Sequence, residues 1–184
     1  MRIIGGRFKR SKLPVADRPG LRPTPSRVRE TLFNWLGQDL TGWRCLDAFA
    51  GTGALGFEAA SRGAAQVWLV EQDPALVANL QAVRQRLQAE GVEVLRGDGV
   101  ALLQQRQALD LVFLDPPFAE GRNEALFAAA LRAAAQALRE GGFVYLESPR
   151  PWSADELLPL GLQPWRQDRA GAVSFALLRA LPTI

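Results

Sequence analysis

The residues best suited to chemistry are Asp115-Pro116-Pro117-Phe118, which directly follow the apolar run Leu111-Val112-Phe113-Leu114. Neither proline can donate to a sheet ladder, so a strand over 110–114 has to stop there. Asp115 is then left at the carboxyl edge of a sheet, where open α/β folds bind their ligands. A carboxylate beside a backbone carbonyl, most simply that of Pro116, can accept both hydrogens of a planar amino group. An exocyclic base amine is a poor nucleophile, because its lone pair is delocalised into the ring. Drawing its hydrogens out of the plane localises that pair and aims it at an electrophile. Phe118 offers a flat face for a base taken out of its stack. A proline-terminated strand with an incidental aromatic would show the same four letters, so the motif needs a second constellation beside it.

That constellation is Leu46-Asp47-Ala48-Phe49-Ala50-Gly51-Thr52-Gly53-Ala54-Leu55-Gly56. Gly51 and Gly53 allow close approach of backbone to a ligand, and Gly56 allows a helix to pack tightly on a sheet. The same letters satisfy the dinucleotide pattern G-x-G-x-x-G, and Glu71, 20 residues on from Gly51, suits ribose hydroxyls in either reading. Asp115 to Phe118 resembles motif IV of the S-adenosylmethionine-dependent amino-methyltransferases, written Asp/Asn-Pro-Pro-aromatic. Asp47 resembles the motif I acidic residue of that class, which faces the methionine moiety. A nicotinamide dinucleotide needs no carboxylate so near its pyrophosphate, so the pair favours S-adenosylmethionine. Asp98, in Gly97-Asp98-Gly99, lies where such a fold places adenine, and it also suits the N-cap of a following helix.

These residues need a frame to hold them together. Strands are predicted over 43–48, 66–71, 92–96, 110–114 and 142–147, with helices over 54–62, 74–89, 99–106 and 123–139 between them. Strict alternation argues for a parallel sheet covered on both sides. After a short helix at 153–158, two strands over 161–168 and 172–179 flank Gly171 in a hairpin. Ahead of the sheet, residues 2–15 read as a hairpin about Gly5-Gly6, residues 16–24 as a loop, and Pro25-Ser26 as the start of a helix to Trp35. Val28, Leu32, Trp35 and Leu36 share one face of that helix, which leaves Arg27 and Arg29 on others. Cys45 reads as core, and Trp43, Trp68, Trp152 and Trp165 as packing.

The 184 residues are 48% hydrophobic and suffice for one domain with a sizeable core. No apolar run approaches a membrane span, and the N-terminus lacks the apolar block of a signal peptide, so the expected location is the cytoplasm. A single cysteine and no histidine exclude disulfide frameworks, histidine triads and Cys/His metal clusters. Net charge is only +3, yet residues 1–30 hold nine basic side chains against two acidic, whereas the rest hold 13 against 17. A basic arm on a mildly acidic body is a footprint for phosphate, although a solvated tail carries the same signature.

Arg2-Ile3-Ile4-Gly5-Gly6, Lys12-Leu13-Pro14-Val15, Gly20-Leu21-Arg22-Pro23-Thr24 and Arg27 to Leu36, taken with the two motifs above, resemble the bacterial RsmD family. The resemblance implies methylation of the exocyclic N2 of one guanine in 16S ribosomal RNA, within an assembled or assembling small subunit. It implies the class I S-adenosylmethionine-dependent methyltransferase sheet, Rossmann-like α/β with seven strands and the last antiparallel, preceded by a basic β-hairpin and helix. Residues 1–40 are then an extension of the methyltransferase domain at 41–184. Asp47, Gly51, Gly53, Glu71 and Asp98 would line the cofactor site; Asp115, Pro116 and Phe118 would act on the amine. Arg2, Arg7, Lys9, Arg10, Lys12, Arg22, Thr24, Arg27 and Pro117 would face the RNA. The expected protein is a monomer without metal or membrane partner. Two rivals remain: a DNA adenine-N6 or cytosine-N4 methyltransferase, for whose target-recognition region the chain has little room, and a non-catalytic RNA-binding assembly factor.

Overall fold

In the computed structural model, which describes residues 1–19, 21–117 and 123–182, strand and helix alternate as the sequence pattern predicts. Helix α1 (Ser26–Leu36) precedes β1 (Arg44–Asp47), α2 (Ala54–Ser61), β2 (Gln66–Glu71), α3 (Pro74–Leu87), β3 (Val92–Arg96) and α4 (Gly99–Leu103). There follow β4 (Leu109–Leu114), α5 (Glu124–Ala137), β5 (Leu138–Ser148), α6 (Ala154–Leu157), β6 (Leu162–Ala170) and β7 (Val173–Ala180). The seven strands lie in the order β3-β2-β1-β4-β5-β7-β6. Strands β1 to β5 pair in parallel, and β7 runs antiparallel to both β5 and β6. This is the class I methyltransferase sheet that the resemblance implied. The order in which strands are added reverses between β1 and β4, which makes their carboxyl ends the switch point where α/β sheets bind ligands.

Successive residues of the central strands feed opposite faces, as the period of two requires. Cys45, Leu111 and Phe113 pack with Leu32, Phe33 and Phe57 on one face, and Leu46, Val112 and Leu114 pack with Leu131 and Ala134 on the other. Most boundaries shift by one to three residues, as at α4, which ends at Leu103, and two differences are larger. Strand β5 starts at Leu138, straight from α5, because Leu138 pairs with Leu109 before the register shifts at Leu111. The expected hairpin over 2–15 shrinks to a single antiparallel bridge between Arg2 and Lys12. Bonds such as Arg10 N–H to the Ile3 carbonyl at 2.8 Å close the arm on itself, and its turn is tied to α2 as well: the Arg7 N–H donates to the Ser61 carbonyl at 2.7 Å and the Phe8 N–H to Ser61 Oγ at 2.8 Å. Gly6, at φ +78°, fits there because a Cβ would lie 2.0 Å from the Ser61 carbonyl oxygen.

Ile3, Phe8 and Leu13 are buried in the first core face, so the arm is part of that core. Burial of each such side chain contributes roughly 1.5–3 kcal/mol. Arg29 overturns the expectation that it lies off the buried face of α1, since it is 1% exposed and Glu58, its partner, 0%. Arg29 Nη1 lies 3.5 Å from Glu58 Oε1 and donates to the Arg2 carbonyl at 3.0 Å, while Nε donates to the Thr24 carbonyl at 3.1 Å. Glu58 also accepts the Ile4 and Gly5 N–H groups at 2.9 and 3.1 Å and pairs with Arg62 at 3.1 Å. Burial lowers the Arg29 pKa and the nearby Glu58 and Glu30 charges oppose the change. One buried carboxylate thus ties the arm, α1 and α2 together. Truncating Glu58 strands a buried guanidinium and two backbone donors, so Glu58→Ala should cost about 3–5 kcal/mol in urea unfolding. A loss below about 1 kcal/mol would show that the arm is held by its apolar contacts alone.

Candidate active site

Sheet register brings together three acidic residues that are far apart in the chain. Asp47 ends β1 opposite Phe113 of β4, and Asp115 follows Leu114, which pairs with Leu146 of β5. Glu147 comes next on β5, so Asp47, Asp115 and Glu147 form a row across three adjacent strand ends. Pro116 and Pro117 stop β4 directly after Asp115, as their missing N–H groups require. All five residues open on one cleft of about 510 Å³, which Glu71, Asp98 and Gly51 also line. A hollow of about 670 Å³ between the arm turn and α1 is lined by none of the predicted site residues, and the chemistry lies with the acidic cleft.

The electrostatics of the row follow from burial. Asp47 is 1% exposed, and desolvation pushes its pKa up to about 7, against hydrogen bonds from the Phe49 and Gly56 backbone and aided by the Glu71 and Glu147 charges. Burial, then the Glu147 charge, a hydrogen bond with Glu147 and the Asp47 charge hold Asp115 well above the usual carboxylate range. Glu147 Oε1 accepts the Tyr145 hydroxyl at 2.6 Å and the Thr24 hydroxyl at 2.8 Å. Burial and Glu147 keep Tyr145 protonated well past its usual range. Among the described residues no ion pair reaches Asp47, Asp115 or Glu147. Nor do they hold a group of three or more acidic, histidine or cysteine side chains that could seat a metal ion.

The loop after β1 supplies backbone to the same cleft. The Gly51 N–H donates to Glu71 Oε1 at 3.0 Å, while Glu71 Oε2 accepts the Gln72 and Asp73 N–H groups at 2.8 and 2.9 Å. Glu71 is thus fixed at the end of β2 with its carboxylate facing the loop. Gly53 does not line the cleft; at φ +81° it caps α2, and a Cβ there would lie 2.6 Å from the Phe57 ring. Gly56 packs as expected, since a Cβ would meet Leu69 at 2.1 Å. Asp98 does cap α4, accepting the Ala101 N–H at 3.3 Å, and its exposed side chain also faces the cleft.

Of the residues assigned to RNA, Arg22, Thr24 and Pro117 reach the cleft rim. Arg2, Arg7, Lys9, Arg10, Lys12 and Arg27 are exposed but lie outside it. Thr24 is 4% exposed and bound to Glu147, so its role is internal. Trp165, expected as packing, is 38% exposed, with Arg179 and Arg166 at 4.7 and 5.3 Å from its ring. Phe118 and Gly20 lie outside the described residues. Sequence reading missed Glu147 and Tyr145; the only signal was an acidic residue ending an apolar strand, which says nothing of its neighbours. Because Asp47 holds its proton to about pH 7 when folded and to about 3.8 when unfolded, the folded state binds the extra proton between those values. Stability must fall as pH rises through that window. Asp47→Asn should therefore gain stability over the parent at about pH 8, on the order of a few kcal/mol, and little at about pH 4 in urea unfolding. Equal gains at both pH values would contradict a buried, proton-holding Asp47.

The family model described as Conserved hypothetical protein 95 matches residues 1–179. A curated relative from Escherichia coli K12, named ribosomal RNA small subunit methyltransferase D, is 48% identical over 125 residues, or 67% of this chain and 63% of its own length. The matched stretch thus spans less than two thirds of that relative. The Haemophilus influenzae protein of the same name is 41% identical over 155 residues, covering 82% of this chain and 79% of its own. A solved structure from E. coli, described as the putative methyltransferase yhhF, superposes with a TM-score of 0.83 at 35% identity and 98% coverage of both chains. With the family model matching nearly the whole chain and these relatives alongside it, the chain belongs to the RsmD family, the Conserved hypothetical protein 95 family of the matching model.

Proposed function

We propose that the protein is an S-adenosylmethionine-dependent methyltransferase acting on the exocyclic N2 amine of a guanine in small-subunit ribosomal RNA. The observation that carries this reading is Asp115, set beside Pro116 at the end of β4 and opening on the same cleft as Asp47, Glu71 and Asp98. Buried carboxyls without a partner cation suit a sulfonium and its amino group, and Glu71 and Asp98 suit ribose hydroxyls and adenine. S-adenosylmethionine, when bound, supplies an electrophilic methyl group. Asp115 and the Pro116 carbonyl accept the amine hydrogens and turn the nitrogen lone pair toward that methyl. On gaining the methyl the nitrogen would lose a proton, which the ionised Asp115 carboxylate would take. Phe118 stacks on the extruded guanine in this reading.

The exposed arm side chains Arg2, Arg7, Lys9, Arg10 and Lys12, with Arg22 and Arg27 nearer the rim, meet RNA phosphates. These contacts carry no sequence information, so the target is recognised as a shape, in an assembled or assembling small subunit in the cytoplasm, by a monomer. The relatives named ribosomal RNA small subunit methyltransferase D support this substrate class. Labelled-methyl transfer to unmodified small subunits, protein-free small-subunit RNA and duplex DNA tests it. N2-methylguanosine on subunits is the expected product; methyladenine or methylcytosine in DNA would overturn the substrate. Asp115→Ala should reduce turnover at least about a thousandfold while leaving S-adenosylhomocysteine affinity within about threefold in calorimetry. A variant that kept most of its rate would remove Asp115 from the chemistry.

A further inference from the structure

Glu147 has no part in binding the amine as described above, yet it is held by side chains from two separate segments. Its carboxylate is 8% exposed and accepts two hydroxyls on one oxygen, from Thr24 at 2.8 Å and Tyr145 at 2.6 Å. Those donors come from the segment ahead of α1 and from β5 itself, so the carboxylate is held from two directions. The Thr24 carbonyl in turn accepts from the buried Arg29, which is paired with Glu58. Glu147 sits beside Asp115 at the strand ends, because Leu114 pairs with Leu146 and both carboxyls line one cleft. Burial and the neighbouring Glu147 charge hold the Asp115 carboxyl well above the usual carboxylate range.

We propose that Glu147 is a positioning residue for methyl transfer, whose carboxylate orients Asp115 and sets how strongly Asp115 accepts the amine hydrogens. The inference rests on the transfer reading given above. A carboxylate of greater proton affinity is a stronger hydrogen-bond acceptor, so a fixed negative charge beside Asp115 sharpens its pull on the amine. The same charge delays loss of the Asp115 proton, so activity should rise with pH above the range of an ordinary aspartate. Other groups act on Asp115 as well. Asp47 faces it from β1 and raises its pKa, and Glu71 of β2 acts on Asp47 in turn. Tyr145 on β5 stays neutral, as its raised pKa requires. Arg18 and Arg22 line the rim, and Arg18 is engaged by Asp73 at 3.4 Å.

Glu147→Gln tests this, because the amide keeps an oxygen for Thr24 and Tyr145 but loses the charge. kcat/KM for methyl transfer should be measured from about pH 5 to about pH 9 in both proteins. The acidic limb of the variant should move to lower pH by about one unit or more, and its plateau should fall by roughly tenfold or more. S-adenosylhomocysteine affinity should stay within about threefold. An unmoved limb would overturn the proposal even if the rate fell, because a merely structural residue changes the plateau alone. A parent protein that transfers no methyl would instead refute the reading on which the inference rests. If the variant fails to fold, carboxyl-carbon NMR of the parent decides: the Asp115 carboxyl should titrate well above the usual carboxylate range, and an ordinary aspartate value would overturn the proposal.

Discussion

Keeping acidic side chains out of water is costly unless each finds a partner, and here three of them meet at the carboxyl ends of β1, β4 and β5. Asp47 has backbone donors, Glu147 has two hydroxyls, and Asp115 has Glu147 itself. None of the three has a cation among the described residues. The folded chain therefore keeps, toward neutrality, protons that an unfolded chain would already have released near pH 3.8. A positively charged ligand entering the cleft would relieve that cost, so the same arrangement that weakens the empty fold favours binding. Much of the surrounding architecture serves to keep this row in place.

The N-terminal segment shows how. Its basic side chains face solvent, but its backbone is gripped from below by Glu58 and Arg29, both almost without exposure. Arg29 also grips the Thr24 carbonyl, and the Thr24 hydroxyl reaches Glu147. A chain of polar contacts thus runs from Glu58 in α2 through Arg29 and Thr24 to the carboxyl beside Asp115. Buried ionic contacts of this kind contribute little net stability compared with an apolar replacement, but they fix relative position well. The arm that would meet RNA and the carboxyls that would act on it are held in one frame.

Periodicity and turn chemistry are local properties, and they made most of the frame legible. The strands at 66–71 and 92–96 match β2 and β3, and Asp98 and Gly56 occupy the capping and packing positions expected of them. Pro116 and Pro117 marked the end of β4 because a residue without an N–H cannot continue a ladder. The hairpin over 2–15 pairs across itself through the Ile3, Arg10 and Leu13 N–H groups, but local alternation could not show that its turn donors, Arg7 and Phe8, go to Ser61, more than fifty residues away. Arg29 was misplaced because helix periodicity sees only one face of α1, whereas α2 covers a second through Glu58.

By itself, the sequence determined the alternating α/β plan, the strand ends that carry Asp47, Glu71 and Asp115, and the loop glycines between them. Each of these follows from residues near one another in the chain. Only the tertiary structure decided that Glu147 completes the row, that Thr24 and Tyr145 hold it, and that Gly53 serves packing and not the cleft. The reason is register: Asp115 meets Glu147 because Leu114 pairs with Leu146, and which strands become neighbours is set by the packing of the whole sheet.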